Sequence, residues 1–88
     1  MTTNHPEAGE KIFKKGEVIY QQGDYVTAIF DVLWGQVALY VDYHKPTQRL
    51  LNEVEADGFF GIVGFLESRP QNATAVALEE TRFVLYSP

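Results

Sequence analysis

Along the chain, short runs of β-branched and aromatic residues alternate with clusters of glycine and polar residues. Lys11 to Phe13 can form a first short strand, and Lys14-Lys15-Gly16 reads as a turn. Glu17 to Gln21 is a run of β-formers, closed by the turn signal Gln22-Gly23-Asp24. Ala28 to Trp34 follows. On a strand Ile29, Asp31 and Leu33 share one face and Phe30, Val32 and Trp34 the other, with Asp31 expected on the wetter side. Gly35-Gln36 reads as a turn and Val37 to Tyr43 as the returning strand of a hairpin. A loop at His44 to Gln48, carrying Pro46, leads to a strand over Arg49 to Val54. Ala73 to Leu78 and Arg82 to Tyr86 read as a final hairpin around Glu79-Glu80-Thr81. Evenly spaced strands with repeated turn signals predict an all-β sandwich or roll.

The break in this rhythm is Asp57 to Val76, DGFFGIVGFLESRPQNATAV, with glycines at 58, 61 and 64 and Pro70 leading into the last strands. Glycines allow close approach of the backbone to a ligand. A short helical turn starting near Gly61 would present free N–H groups of the kind that cradle a phosphate. The stretch resembles the phosphate-binding cassette of the cyclic nucleotide-binding domain family, whose pattern is F-G-E, small and apolar residues, a loop, then P-R-(S/T)-A. Phe60-Gly61-Ile62-Val63-Gly64-Phe65-Leu66 matches the first half and Pro70-Gln71-Asn72-Ala73-Thr74 the second. Gly16 to Tyr20, Gly23-Asp24 and the stretch Ile29 to Tyr40 are similar to the family's earlier signals, so the resemblance covers residues 11 to 88. It implies an all-β double-stranded roll, a jelly-roll-like sandwich with a short helical turn in the cassette, over residues 11–88, after a flexible tail over residues 1–10. Family members usually continue into C-terminal helices that close over the nucleotide; the expectation here is a roll lacking them.

The ligand the resemblance implies is cAMP or cGMP, and the candidate ligand-binding residues are Phe60, Gly61, Ile62, Val63, Gly64, Arg69, Gln71, Asn72, Ala73 and Thr74, with Arg69 beside the cassette as a replacement cation. Two of these positions depart from the pattern. The family's glutamate, which accepts from the ribose 2′-OH, is Ile62, and its phosphate-pairing arginine is Gln71. Glutamine has no charge and no guanidinium fork. Hydrogen bonds to charged groups are worth roughly 1.5–3 kcal/mol each. Losing both costs about 3–6 kcal/mol, or roughly 10²–10⁴ in affinity. The expectation is a roll kept as a regulatory or interaction module with degenerate cAMP and cGMP contacts. The alternative is a sensor for a cyclic nucleotide or other small anion in which Arg69, Gln71 and backbone amides take over.

Composition narrows the partners. Eighty-eight residues make one small domain, and the net charge of −5 gives nucleic acid no electrostatic hold. No apolar run approaches the ~18 residues of a membrane span. There is no cysteine, which excludes disulfides, thiolate metal sites and cysteine nucleophiles and fits a cytoplasmic protein. His5 and His44 sit in the tail and a loop, and Ser68 and Ser87 have no evident partner base, so neither metal nor nucleophilic catalysis has a set of residues to work with. The partners that remain are a small-molecule ligand, a second copy in a homodimer, or another domain. Tyr20, Tyr25, Trp34, Tyr40, Tyr43 and Phe65 are the aromatic candidates for an interface.

Overall fold

Eight strands and one helical turn form two four-stranded antiparallel sheets in a computed structural model that describes residues 9–86. In chain order they are β1 (Gly9–Phe13), β2 (Val18–Tyr20), β3 (Ile29–Trp34), β4 (Gln36–Val41), β5 (Arg49–Glu55), β6 (Phe59–Phe60), α1 (Ile62–Glu67), β7 (Thr74–Ala77) and β8 (Thr81–Tyr86). One sheet has the order β1-β8-β3-β6 and the other β2-β7-β4-β5. The strand expected from Lys11 begins two residues earlier, at Gly9, and residues 1–8 of the expected tail lie outside the described residues.

The longer strands lie close to where the sequence pattern places them, β6 within the cassette was not expected, β4 ends at Val41 and not Tyr43, and two of the expected hairpins are not hairpins. β3 belongs to the first sheet and β4 to the second, and β7 and β8 are divided the same way. β1 and β2, and β5 and β6, also change sheets. The molecule is therefore four long ribbons lying side by side, each bent once across a common line. Backbone hydrogen bonds carry the ladder over that line. Gly16 N–H donates to Ala77 O (2.7 Å), Leu78 N–H to Gln36 O (2.8 Å), and Asp57 N–H to Val32 O (2.8 Å). A turn signal marks where a strand stops; it does not say whether the chain returns in the same sheet or crosses to the other.

Gly35 makes the bend between β3 and β4. Its φ is +104°, and a Cβ there would lie 2.4 Å from Thr81 Oγ1 and 2.6 Å from Glu80 O. The β3–β4 and β7–β8 corners thus touch backbone to backbone, and only a residue without a side chain permits it. Thr81 is fully buried at this contact. Its hydroxyl accepts from Gln36 N–H (3.0 Å) and faces Glu79 O (2.9 Å) as a donor.

Between the sheets lie Tyr20, Phe30, Val32, Val37, Val54, Phe60, Ala75 and Phe83. Phe30 is the hub of the aromatic cluster. It stacks on Phe60 (centroids 4.7 Å apart), meets Phe83 edge-on (5.3 Å) and lies 5.5 Å from Tyr20. Such offset and edge-on pairs add to the stabilisation from burial alone. The expectation for β3 holds for Phe30 and Val32, which are buried, and fails for Trp34, which is 41% exposed. A register shift between Val32 and Trp34 explains the difference. A bulge breaks the two-residue period and turns the next side chain outward.

Candidate functional site

Gly61 opens the cassette with φ +82°, and the helical turn α1 follows directly, ending at Ser68, whose N–H donates to Gly64 O (3.1 Å). Beneath Gly61 lies the Phe30 ring, 2.7 Å from where a Cβ would be. Gly64 is packed as tightly, with Val26 O 2.2 Å and Gln71 Nε2 2.5 Å from an added Cβ. α1 therefore sits directly on the loop between β2 and β3.

Gln71 holds this arrangement together. It is 3% exposed. Its side-chain Nε2 donates to Val26 O (2.9 Å) and to Gly61 O (3.3 Å). Its backbone N–H donates to Asp24 O (2.9 Å), and its carbonyl accepts from Gly23 N–H (2.8 Å). One residue thus ties the 23–26 loop to the start of the cassette. Replacing Gln71 with alanine leaves two inward-facing carbonyls without their donor, which costs about 1–3 kcal/mol. The expected drop in melting temperature is roughly 5–20 °C. Amide exchange of Ile62 to Glu67 should rise in the same variant; unchanged protection would mean that Gln71 does not hold α1.

A cleft of about 180 Å³ opens beside this clamp, lined by Tyr20, Leu39, Asn52, Phe59, Phe60, Gly61, Ile62, Val63, Gln71 and Asn72. None of these side chains is a cation or a carboxylate. Burial pushes the Tyr20 phenol well up from its ordinary value, so it stays a neutral hydroxyl. Ile62, at 42% exposure, gives the mouth an apolar rim.

The ten expected site residues do not all meet there. Phe60, Gly61, Ile62, Val63, Gln71 and Asn72 line the cleft. Gly64 and Ala73 are buried in packing and are not part of the lining. Thr74 borders a separate polar depression with Gln21, Gln22 and Asp42, and its Oγ1 accepts from Gln22 N–H (2.9 Å). Arg69 lies outside the lining and is paired with Glu67 (2.7 Å) on the surface. The sequence reading did not single out Tyr20, Leu39, Asn52 and Phe59 for the cleft. Asn52 had a signal, since it shares strand parity with the buried Val54 and is thus a polar residue on an inward face. The role of the Val26 carbonyl had none, because it is a backbone group.

The family model for the cyclic nucleotide-binding domain matches residues 10–87. The chain belongs to the cyclic nucleotide-binding domain family. Among solved structures, it is similar to the Thermus thermophilus catabolite activator protein, with a TM-score of 0.84 and 26% identity over 92% of this chain and 38% of that one. It shares its fold with the N-terminal domain of a transcriptional regulator from Streptomyces coelicolor A3(2) (TM-score 0.84, 21% identity, 92% of this chain, 58% of that one). A cyclic nucleotide-binding domain from Methylobacillus flagellatus KT has the same fold (TM-score 0.84, 20% identity, 92% and 46%). The chain spans less than two thirds of the length of each of these proteins. The cleft beside the Gln71 clamp in this chain is neutral.

Proposed function

We propose that this cyclic nucleotide-binding domain serves as a regulatory or protein-interaction module, not as an enzyme, and that its contacts for cAMP and cGMP are degenerate. Gln71 carries the reading. Where the family pattern has its phosphate-pairing arginine, this chain has a buried amide whose nitrogen donates to Val26 O and Gly61 O. A cyclic phosphate entering the cleft would bring a negative charge against lining residues that include no cation. Taking a charge out of water without a partner is strongly unfavourable. The volume of about 180 Å³ also falls below that of typical small-molecule sites, roughly 300–1,000 Å³. A chain without cysteine suits a reducing compartment, and the reading places it in the cytoplasm.

Calorimetric titration with cAMP and with cGMP at physiological salt tests this directly. The expected result is no binding heat up to ~1 mM nucleotide, which bounds the affinity at about −4 kcal/mol or weaker. The Ile62→Glu/Gln71→Arg double variant, titrated alongside, is expected to gain measurable binding. Micromolar binding by the unaltered chain would overturn the reading. Arg69 would then be the residue to examine. Its pairing with Glu67 is exposed on both sides, and such pairs hold weakly enough to release the guanidinium to an anion. In that second reading the chain is a small-anion sensor, and Arg69→Ala abolishes its binding.

A further inference from the structure

The cleft beside α1 carries no charge, yet two of its lining side chains are more than nine-tenths buried and hold a polar atom in reserve. Gln71 is 3% exposed, and its Nε2 donates to Val26 O (2.9 Å) and to Gly61 O (3.3 Å). An amide nitrogen has two hydrogens, so its donors are spent and the carbonyl oxygen Oε1 is left. Among the described residues no group donates to that oxygen. Tyr20 is 5% exposed, and among the described residues its hydroxyl has no hydrogen-bond partner either. No fully enclosed side-chain nitrogen or oxygen among these residues goes unpaired, so both atoms open into the cleft that their residues line. Around them the walls are apolar: Leu39, Phe59, Phe60, Ile62 and Val63.

We infer that this cleft is a site for a neutral, one-ring molecule bearing a hydroxyl, of which phenol is the simplest case. The inference rests on the reading that the cleft is degenerate for cAMP and cGMP. Size sets the first limit. A cavity of about 150 Å³ holds a benzene ring, and the cleft has about 180 Å³, room for a ring and one small substituent. Polarity sets the second. Where the family pattern has an arginine, a donor, this chain presents an acceptor, so the ligand must supply the hydrogen. A ligand O–H donates to Gln71 Oε1, and its oxygen accepts from the Tyr20 hydroxyl. Burial keeps that hydroxyl protonated and able to donate. An anion would meet the Gln71 oxygen with no cation nearby, and a cation would find no carboxylate in the lining. A bare hydrocarbon would bury two polar atoms without partners, which is costly. The ring itself packs against Phe59 and Phe60, where offset and edge-on contacts are favourable.

Titration of the ¹⁵N-labelled full chain with phenol, toluene and cAMP, followed by amide chemical shifts, tests the proposal. Phenol is expected to shift the Gly61, Ile62 and Val63 amides and the Gln71 side-chain amide, with a dissociation constant on the order of 0.1–1 mM. Toluene has nearly the same shape but no hydroxyl, and should bind roughly 10-fold more weakly. Tyr20→Phe keeps the ring and removes the hydroxyl. It should weaken phenol roughly 5–10-fold and leave toluene unchanged. The phenol-to-toluene comparison is made on the unaltered chain, so it stands even if Tyr20→Phe lowers stability. No shifts up to ~5 mM phenol, well above the expected range, would overturn the proposal. So would shifts scattered away from the cleft, or equal affinities for phenol and toluene. A phenol affinity indifferent to Tyr20→Phe would do the same. The cAMP arm separates the two readings. Binding of cAMP overturns the degenerate-site reading and this inference with it, whereas silence toward both cAMP and phenol overturns this inference alone.

Discussion

Gly35→Ala is expected to destabilise the fold by roughly 2–6 kcal/mol, enough to lower the melting temperature by more than about 10 °C. Two effects combine. The residue sits at φ +104°, where a side chain strains the backbone, at a cost on the order of 1–3 kcal/mol. A Cβ would also overlap Thr81 Oγ1, Glu80 O and Thr81 Cα, all within 2.6 Å. Two of these atoms are backbone, so the collision is relieved only by parting the two corners, and overpacking of this sort adds about 1–3 kcal/mol. Parting them also stretches the hydrogen bond from Gln36 N–H to the Thr81 hydroxyl. Gly23→Ala separates the two effects, because Gly23 has φ +96° but open space where a Cβ would go. It should show the conformational cost alone. Equal losses for the two variants in thermal unfolding would mean that the close approach at Gly35 contributes nothing.

Phe30→Ala should be equally severe, about 3–5 kcal/mol, the range for emptying an aromatic from a core. Phe30 is 4% exposed and touches Tyr20, Phe60 and Phe83 through ring contacts. It is also the floor of the cassette, lying directly under Gly61. The cavity would therefore loosen Phe60 and the start of α1 as well as the sheet interface. A domain of this size has little stability in reserve. Urea unfolding should show a much lower midpoint, and at 37 °C a large share of the variant should be unfolded. Phe59→Ala is the comparison: its ring is 54% exposed, and truncating it should cost under about 1 kcal/mol. Similar midpoints for the two variants would contradict the placement of the core.

The strands were legible in the sequence because they are runs of β-branched and aromatic residues bounded by glycine and polar clusters. The cassette was legible because its glycines, Pro70 and Ala73 keep their order and spacing. What the pattern does not encode is which sheet a strand joins. Gly35-Gln36 and Glu79-Glu80-Thr81 read as hairpin turns, yet each is a crossing, and the reason for Gly35 is a residue 46 positions away in the chain. Strict alternation puts Trp34 on the same face as Phe30 and Val32, and a single bulge takes it off that face. The substitution at Gln71 showed that a charge was missing. It did not show that the amide turns inward to Val26, because that partner is a backbone carbonyl 45 residues upstream.

The bent ribbons also govern how the chain reaches its fold. Among the described residues, β4 and β5 are the only strands consecutive in sequence that are also hydrogen-bonded neighbours. Every other pairing joins strands separated by at least one further strand, and β1 meets β8 across nearly the whole described chain, Gly9 with Leu85. Loop closure must precede the gain from such contacts, which places the chain among slow-folding topologies, with times on the order of milliseconds to seconds. The β4–β5 hairpin is the one piece able to form early from local contacts. An edge strand of the finished sheet, six of whose seven residues are exposed, is thus half of the one hairpin that local contacts can build first.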